Sequence, residues 1–322
     1  MIATAVSSVI ADGPAAGCRA LDLRVWGGVD IRLLPDRGLD CGAAWFAGVP
    51  LAWISAVGET APLDRPRDMD WQRAFGGGLV ITCGLRNVGA PSEGHGLHGE
   101  ISHRRASDVR WERREVGDAV ELVVHGVLME GDALDTHLEL EREWRVRTGE
   151  GVVALCDVTR NRGGHSEPAP LLYHVNLGAP LWAPGARVAA TADGIAPRDA
   201  DAAAYVDAWD RAPEHEPGAP ERVYEHALTP AADGWAQVVV TQPAIDLEVI
   251  VRWDARALPR LHQWVHPGVG ALGVEPANCG VLGRAEDRAA GRLPVLEPGE
   301  ERVTRLEIRA QPRSTSNATS SA

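Results

Sequence analysis

Hydrophobic and polar positions alternate with a period of two along much of the chain. Over 136–146, Leu138, Leu140, Trp144 and Val146 fall on one side, and Glu139, Glu141, Glu143 and Arg145 on the other. That pattern predicts a half-buried strand of an antiparallel sheet, with Arg142 the one charge on its apolar side. Similar short strands are predicted at 21–26, 29–33, 121–124, 152–158, 235–241, 245–253 and 303–308. Gly, Pro and Asp clusters such as 34–38 (LPDRG) and 161–164 (NRGG) separate them. Helical spacing is confined to 69–75 and 202–209. The stretch 183–220, rich in Ala, Asp and Pro and poor in strand signal, predicts a long excursion over one face. Many short strands with little helix predict an all-β fold, a large antiparallel β-sandwich or barrel. It forms a single domain over residues 1–310, and 311–322, almost without apolar residues, is expected to be a disordered tail.

Composition narrows the chemistry. The 32 basic residues are all arginine. The absence of lysine excludes Schiff-base aldolases, pyridoxal-phosphate enzymes and P-loop nucleotide hydrolases, each of which needs a lysine amine. A formal charge of −13 argues against nucleic acid as a partner. No apolar run reaches the roughly 18 residues of a membrane helix, so no membrane association is expected. The five cysteines form no C-x-x-C pair. Together with an N-terminus that lacks a basic leader, this predicts a cytoplasmic protein.

Two motif matches fail on context. Residues 94–99 (GHGLHG) fit G-x-G-x-x-G, but turn sequence precedes them and no helical stripe follows, so no dinucleotide site is predicted. Residues 90–94 (APSEG) lack the first glycine and the βα frame of a nucleophile elbow. His95, His98 and Glu100 have the donors for zinc or iron. Strand alternation would set the two histidines on opposite sides, and no metal is assigned.

Four segments place chemically useful groups in apolar or glycine-rich surroundings. Residues 76–87 end an apolar strand in Arg86 and Asn87, both suited to hydroxyls or anions. In 97–99 the glycine after His98 leaves room for close approach of a ligand. In 171–178 (LLYHVNLG), His174 and Asn176 share one strand face and suggest a polar cavity lining. In 272–278 (LGVEPAN), Glu275 sits among apolar residues, where burial would raise its pKa toward the range of a general base. A fifth segment, 260–267 (RLHQWVHP), offers Trp264 for stacking on a ligand, with His262 and Gln263 beside it.

In order and type, Arg86, Leu97-His98-Gly99, His174 with Asn176-Leu177, and Glu275-Pro276 resemble the aldose 1-epimerase (galactose mutarotase) superfamily. The segments 35–40 (PDRGLD), 75–79 (FGGGL), 82–85 (TCGL), 97–100 (LHGE) and 172–178 resemble a divergent branch of it of uncharacterised function. The resemblance implies the large β-sandwich often termed a supersandwich, and a cofactor-free enzyme interconverting the anomers of a sugar. It implies Glu275 as general base and His174 as general acid, on opposite sides of the anomeric carbon. It further implies Arg86 and His98 as substrate binders, with Asn87, Asn176, Trp264 and Gln263 in the same site. Arg86-Asn87 reverses the Asn-Arg order of mutarotases proper. The aspartate that grips distal hydroxyls has no clear counterpart, Asp246 and Asp254 being the candidates. The expected partner is a small carbohydrate, and the expected state a monomer or homodimer. Another sugar isomerase or lyase, or a carbohydrate-binding protein without catalysis, would use the same scaffold.

Overall fold

The computed structural model describes residues 2–313. Two large antiparallel sheets lie face to face, as the alternating pattern requires. The larger, eleven-stranded sheet runs Ala3–Val9, Arg19–Val25, Val29–Leu34, Asp40–Phe46, Val80–Gly84, Leu171–Leu177, Ala271–Ala277, Arg260–His266, Arg222–Leu228 and Ala192–Pro197, with Val49–Pro50 paired to Asp40–Phe46. The eight-stranded sheet runs Arg187–Ala190, Trp235–Gln242, Leu247–Asp254, Glu301–Pro312, Val152–Asn161, His137–Arg147, Ala119–Gly131 and Ser107–Val116. This is the large antiparallel β-sandwich that the period of two predicted.

The core fills the space between the sheets. Leu138, Leu140, Trp144 and Val146 point into it from the smaller sheet, and Tyr173, Val175 and Val274 from the larger. The outermost strand of the smaller sheet, Ser107–Val116, is studded with Arg and Glu and exposed along most of its length. Such charges protect an open edge from pairing with another chain.

Arg142, the anomaly in the sequence pattern, is fully buried between the sheets. Its guanidinium donates to Asp157 Oδ1 (2.9 Å) and Oδ2 (2.6 Å), Asp40 Oδ1 (2.6 Å), Thr82 Oγ1 (2.7 Å) and the Gly38 carbonyl (2.8 Å). Tyr173 donates its hydroxyl to Asp157 Oδ2 at 2.7 Å. Burial opposes the charge on Arg142, but the two carboxylates hold it firmly protonated. The segments 35–40 and 82–85 therefore act as a polar rivet between the sheets, one strand face away from the candidate site.

Several boundaries differ from expectation. The stretch 183–220 contains two strands, Arg187–Ala190 and Ala192–Pro197, whose Ala-rich sequence hides the period of two. The helix expected at 202–209 is shorter. It runs Ala200–Ala203, begins where Asp199 accepts from the Ala202 N–H at 3.0 Å, and gives way to a 3-10 turn at Val206–Ala208. The helix expected at 69–75 forms over Asp70–Arg73. A helix at Arg284–Ala289 and the strand Ala3–Val9 carry no periodic signal that predicted them. Gln311 and Pro312 belong to the last strand rather than to a tail, and 314–322 lie outside the described residues.

Candidate active site

The strand Leu171–Leu177 is buried at every position, which sets it in the middle of the larger sheet with both faces covered. Tyr173, Val175 and Leu177 enter the core. Leu172, His174 and Asn176 face the other way, where Leu172 belongs to a smaller buried cluster with Trp71, Val88 and Cys279. Directly opposite residues of antiparallel strands share a face. The register Val175↔Val274 and Leu172↔Ala277 sets His174 opposite Glu275, and His262 pairs with Glu275 on the next strand.

His174 Nε2 lies 3.1 Å from Glu275 Oε1, and both side chains are about 95% buried. Among the described residues, neither His174 Nδ1 nor Glu275 Oε1 completes an aligned hydrogen bond. Both groups line a cavity of about 360 Å³, together with His98, Trp71, Phe75, Trp264, Glu221 and Arg198. That size falls within the usual range of small-molecule sites, roughly 300–1,000 Å³. Aromatic rings surround the histidine, with centroids 5.3 Å (Phe75), 5.4 Å (Trp264) and 6.3 Å (Trp71) from that of His174.

Burial drives the two pKa values in opposite directions. Desolvation, with a smaller contribution from the Glu221 charge, raises Glu275 to about 8. Desolvation, with His98 adding repulsion, lowers His174 to about 3. Between those limits the pair carries one proton. His98 is likewise lowered to about 4 by desolvation. Its Nδ1 accepts the Gly89 N–H at 3.3 Å, which leaves Nε2 as the protonated nitrogen of a neutral ring that packs, tilted by 49°, against Trp71 with centroids 4.6 Å apart.

The eight residues expected in the site divide. Glu275, His174, His98 and Trp264 line the cavity. Arg86 does not, because its side chain extends away to Asp132 at 2.8 Å. The Asn87 amide is spent on the backbone. Its Nδ2 donates to Ala90 O (3.0 Å) and Gly96 O (2.8 Å), and its Oδ1 accepts from Arg284 N (3.1 Å). Asn176 shares the face of His174 but lies beneath the cavity wall, donating to Gly78 O and His174 O at 2.9 Å each. Gln263 cannot join Trp264, because successive strand residues point to opposite faces. Its amide donates to Trp209 O (2.9 Å), and its Oε1 meets His226 Nε2 (2.9 Å). His262 turns to the Cys279 carbonyl at 3.1 Å. Gly99 makes no room for a ligand either: a Cβ there would meet Gly84 O at 2.4 Å and Asn87 O at 2.6 Å. That glycine serves the packing of the loop.

Asp254, at the end of the strand Leu247–Asp254, is paired with Arg256 at 2.8 Å, and Asp246 caps the 3-10 turn that precedes that strand. Neither lines the cavity. His95, His98 and Glu100 do not converge. His95 meets Arg284 at 3.0 Å, His98 faces Gly89, and Glu100 pairs with Arg104. A different trio, Asp135, His165 and Glu167, brings metal-type donors together. There the imidazole bridges the two carboxylates, Nε2 2.7 Å from Asp135 and Nδ1 3.0 Å from Glu167, so its nitrogens point apart rather than at one ion.

Sequence reading missed Trp71, Phe75, Arg198 and Glu221. The spacing of Trp71 and Phe75, four apart within 69–75, is the signal that could have found the aromatic pair. Arg198 lies within the Ala/Pro-rich stretch 183–220 and Glu221 directly after it, and neither carried a signal. Trp264 Nε1 donates to Glu221 Oε2 at 2.8 Å, and Arg198 Nη2 donates to Glu221 Oε1 at 2.9 Å.

The family model described as "Domain of unknown function (DUF4432)" matches residues 15–310. Among curated proteins none matches the chain. Several solved structures share the fold. One is a candidate aldose 1-epimerase from Klebsiella pneumoniae, with TM-score 0.90 and 23% identity over 96% of this chain and 83% of that one. A galactose mutarotase-like protein from Clostridium acetobutylicum has TM-score 0.66 and 12% identity, covering 96% and 98%. A galactose 1-epimerase from Lactobacillus acidophilus has TM-score 0.58 and 10% identity, covering 97% and 99%.

Proposed function

The chain belongs to the DUF4432 family, and from its site we propose that it is an aldose 1-epimerase-like enzyme that interconverts the anomers of a sugar by acid–base ring opening. The observation that carries this reading is the contact of His174 with Glu275 at 3.1 Å on the floor of an aromatic cavity.

Mutarotation moves one proton off the anomeric hydroxyl and one onto the ring oxygen. The C1–O5 bond breaks, the aldehyde rotates about C1–C2, and closure on the other face reverses both transfers. The two oxygens are bonded to one carbon, so the groups that serve them must be neighbours. Adjacent strands make His174 and Glu275 neighbours, where the sequence suggested opposite sides of the substrate. In opening, the pair's one proton first passes from Glu275 to His174 across their 3.1 Å contact; carboxylate Glu275 then takes the hydroxyl proton, and protonated His174 gives its proton to the ring oxygen. That leaves a neutral acid and a neutral imidazole, the forms burial favours. In closure Glu275 returns its proton to O1 and His174 receives one from O5. The pair holds one proton at both ends of the cycle, as reversible exchange between anomers requires. Trp264, Phe75 and Trp71 offer stacking faces, and His98 a neutral N–H donor.

The pH profile tests this proton count. Glu275 has a raised pKa, so the proton is present below about 8 and lost above it. Enzyme-catalysed kcat/KM should be flat through neutrality and fall above that pH by about tenfold per unit. The rate is measured by NMR after subtraction of the uncatalysed rate. A rise through the alkaline range would contradict the assignment.

Gly273 supplies a second test. A Cβ there would lie 2.7 Å from Glu275 Oε1 and 3.0 Å from His174 Cε1. Gly273→Ala is expected to keep the fold, read by circular dichroism, and to lower kcat/KM by about 10²-fold by displacing the pair. An unchanged rate would show that the spacing of the pair is not what the reaction uses.

A further inference from the structure

The transfers between Glu275 and His174 make a demand on the imidazole that neither residue meets alone. A neutral imidazole carries one N–H, on Nδ1 or on Nε2, and the partner of the other nitrogen decides which. His174 Nε2 is the nitrogen that faces Glu275 Oε1, at 3.1 Å. It can take the Glu275 proton only while it holds a lone pair, so the ring's own N–H has to sit on Nδ1. With that N–H on Nε2, the contact would set a donor against a protonated acid and no proton could cross. Phe75, Trp264 and Trp71 crowd the ring with aromatic faces. None of them offers the oxygen that a buried Nδ1–H requires.

Asn176 carries such an oxygen. It lies two residues along the buried strand Leu171–Leu177, on the face of His174, and is itself fully buried. Its Nδ2 donates to Gly78 O and His174 O at 2.9 Å each. Both of those partners are carbonyls, so the amide cannot be turned over, and Oδ1 is the end left to accept. Among the described residues, Asn176 Oδ1 and His174 Nδ1 are both buried polar atoms without an aligned partner. One is an acceptor, and the other needs one. Desolvation and the His98 charge oppose a proton on the His174 ring, whereas hydrogen bonding with the Asn176 side chain favours it.

We propose that Asn176 is a positioning residue for the proton relay: its Oδ1 accepts the His174 Nδ1–H and so fixes the tautomer whose Nε2 lone pair faces Glu275. In the resting pair the Glu275 O–H is shared with Nε2. When that proton crosses, the Nδ1–H stays in place and the same Oδ1 holds the imidazolium. When His174 gives the Nε2 proton to the ring oxygen of the sugar, the ring returns to the tautomer it started from. Closure then finds the Nε2 lone pair facing the proton it must recover. Asn176 touches no reacting atom and acts only through His174. The inference rests on the anomer-exchange reading for its place in the reaction, but the tautomer is a property of the protein without any sugar.

The test reads the ring first and the rate second. In protein labelled with 15N-histidine and free of sugar, long-range 1H–15N NMR near neutral pH is expected to show His174 neutral with its proton on Nδ1. The signal is assigned by its loss in His174→Gln. Asn176→Leu removes the acceptor at similar size. It should move the proton to Nε2 and lower kcat for anomer exchange by ~10–100-fold, the cost of one unpaired buried donor, with KM within a few-fold of wild type. Asn176→Asp keeps an acceptor but loses both donors to the carbonyls. It should hold the Nδ1–H tautomer and most of kcat, and it carries the comparison if Asn176→Leu does not fold. A wild-type His174 protonated on Nε2 overturns the inference. So does a folded Asn176→Asp that has lost the Nδ1–H tautomer, because the amide would then serve its two carbonyls alone. An Nδ1–H tautomer kept by aspartate and lost with leucine, in a protein that accelerates no anomer exchange, would uphold the inference and overturn the epimerase reading alone.

Discussion

Glu275→Gln is expected to lower kcat for anomer exchange by about 10²–10⁴-fold while leaving the protein folded and sugar affinity within a few-fold of wild type. The amide keeps the size and much of the hydrogen bonding of the acid it replaces, but it cannot exchange a proton with O1. His174→Gln should cost a similar factor. The double variant should be no worse than either single one, because one proton shared by two groups is lost when either is removed. Multiplying losses would mean that the two residues act separately. A fall below tenfold would mean that neither is the proton carrier, and a carbohydrate-binding protein would show no exchange to lose.

The same variant has a reading independent of any sugar. Glu275 is raised from 4.5 to about 8 by burial, so the folded state holds a proton that the unfolded chain releases. Its contribution to stability is full below about pH 4.5 and is lost as the pH rises through about 8. Wild type minus Glu275→Gln should therefore decline over that window, measured by urea unfolding at matched pH values. A flat difference would place the carboxyl in water rather than in the buried position described.

Arg142→Met should destabilise the fold by about 3–5 kcal/mol, the usual penalty for stranding a buried charge. Two carboxylates, Asp40 and Asp157, would lose their cation between the sheets. Adding Asp40→Asn and Asp157→Asn should recover part of the loss, since neutral amides strand no charge. Denaturant titration at neutral pH reads both effects, and a loss under about 1 kcal/mol would show that water or backbone groups already satisfy those carboxylates.

Arg142 also marks what the sequence made legible. The lone charge on the apolar side of an alternating strand was visible in the sequence, but the two carboxylates that meet it between the sheets were not. His174 and Glu275 were readable for the same reason, as polar groups in runs where burial has to be compensated. The fold followed from the period of two, since strands such as Leu247–Asp254 bury alternate residues regardless of their neighbours in space. What failed was the reading of adjacency. Gln263 and Trp264 are chain neighbours on opposite faces, and Arg86 and Asn87 leave their strand before reaching the cavity. Arg198 and Glu221 were invisible because two strand ends, 23 residues apart, meet only through a register that no local pattern encodes.

Anomer exchange by magnetisation-transfer NMR, run with wild-type protein on a panel of neutral aldoses near neutral pH, tests the central claim most directly. The account predicts exchange between the α and β forms of at least one sugar well above its uncatalysed rate, with no added cofactor. Folded protein that binds a neutral sugar and leaves its anomer exchange at the uncatalysed rate would contradict it.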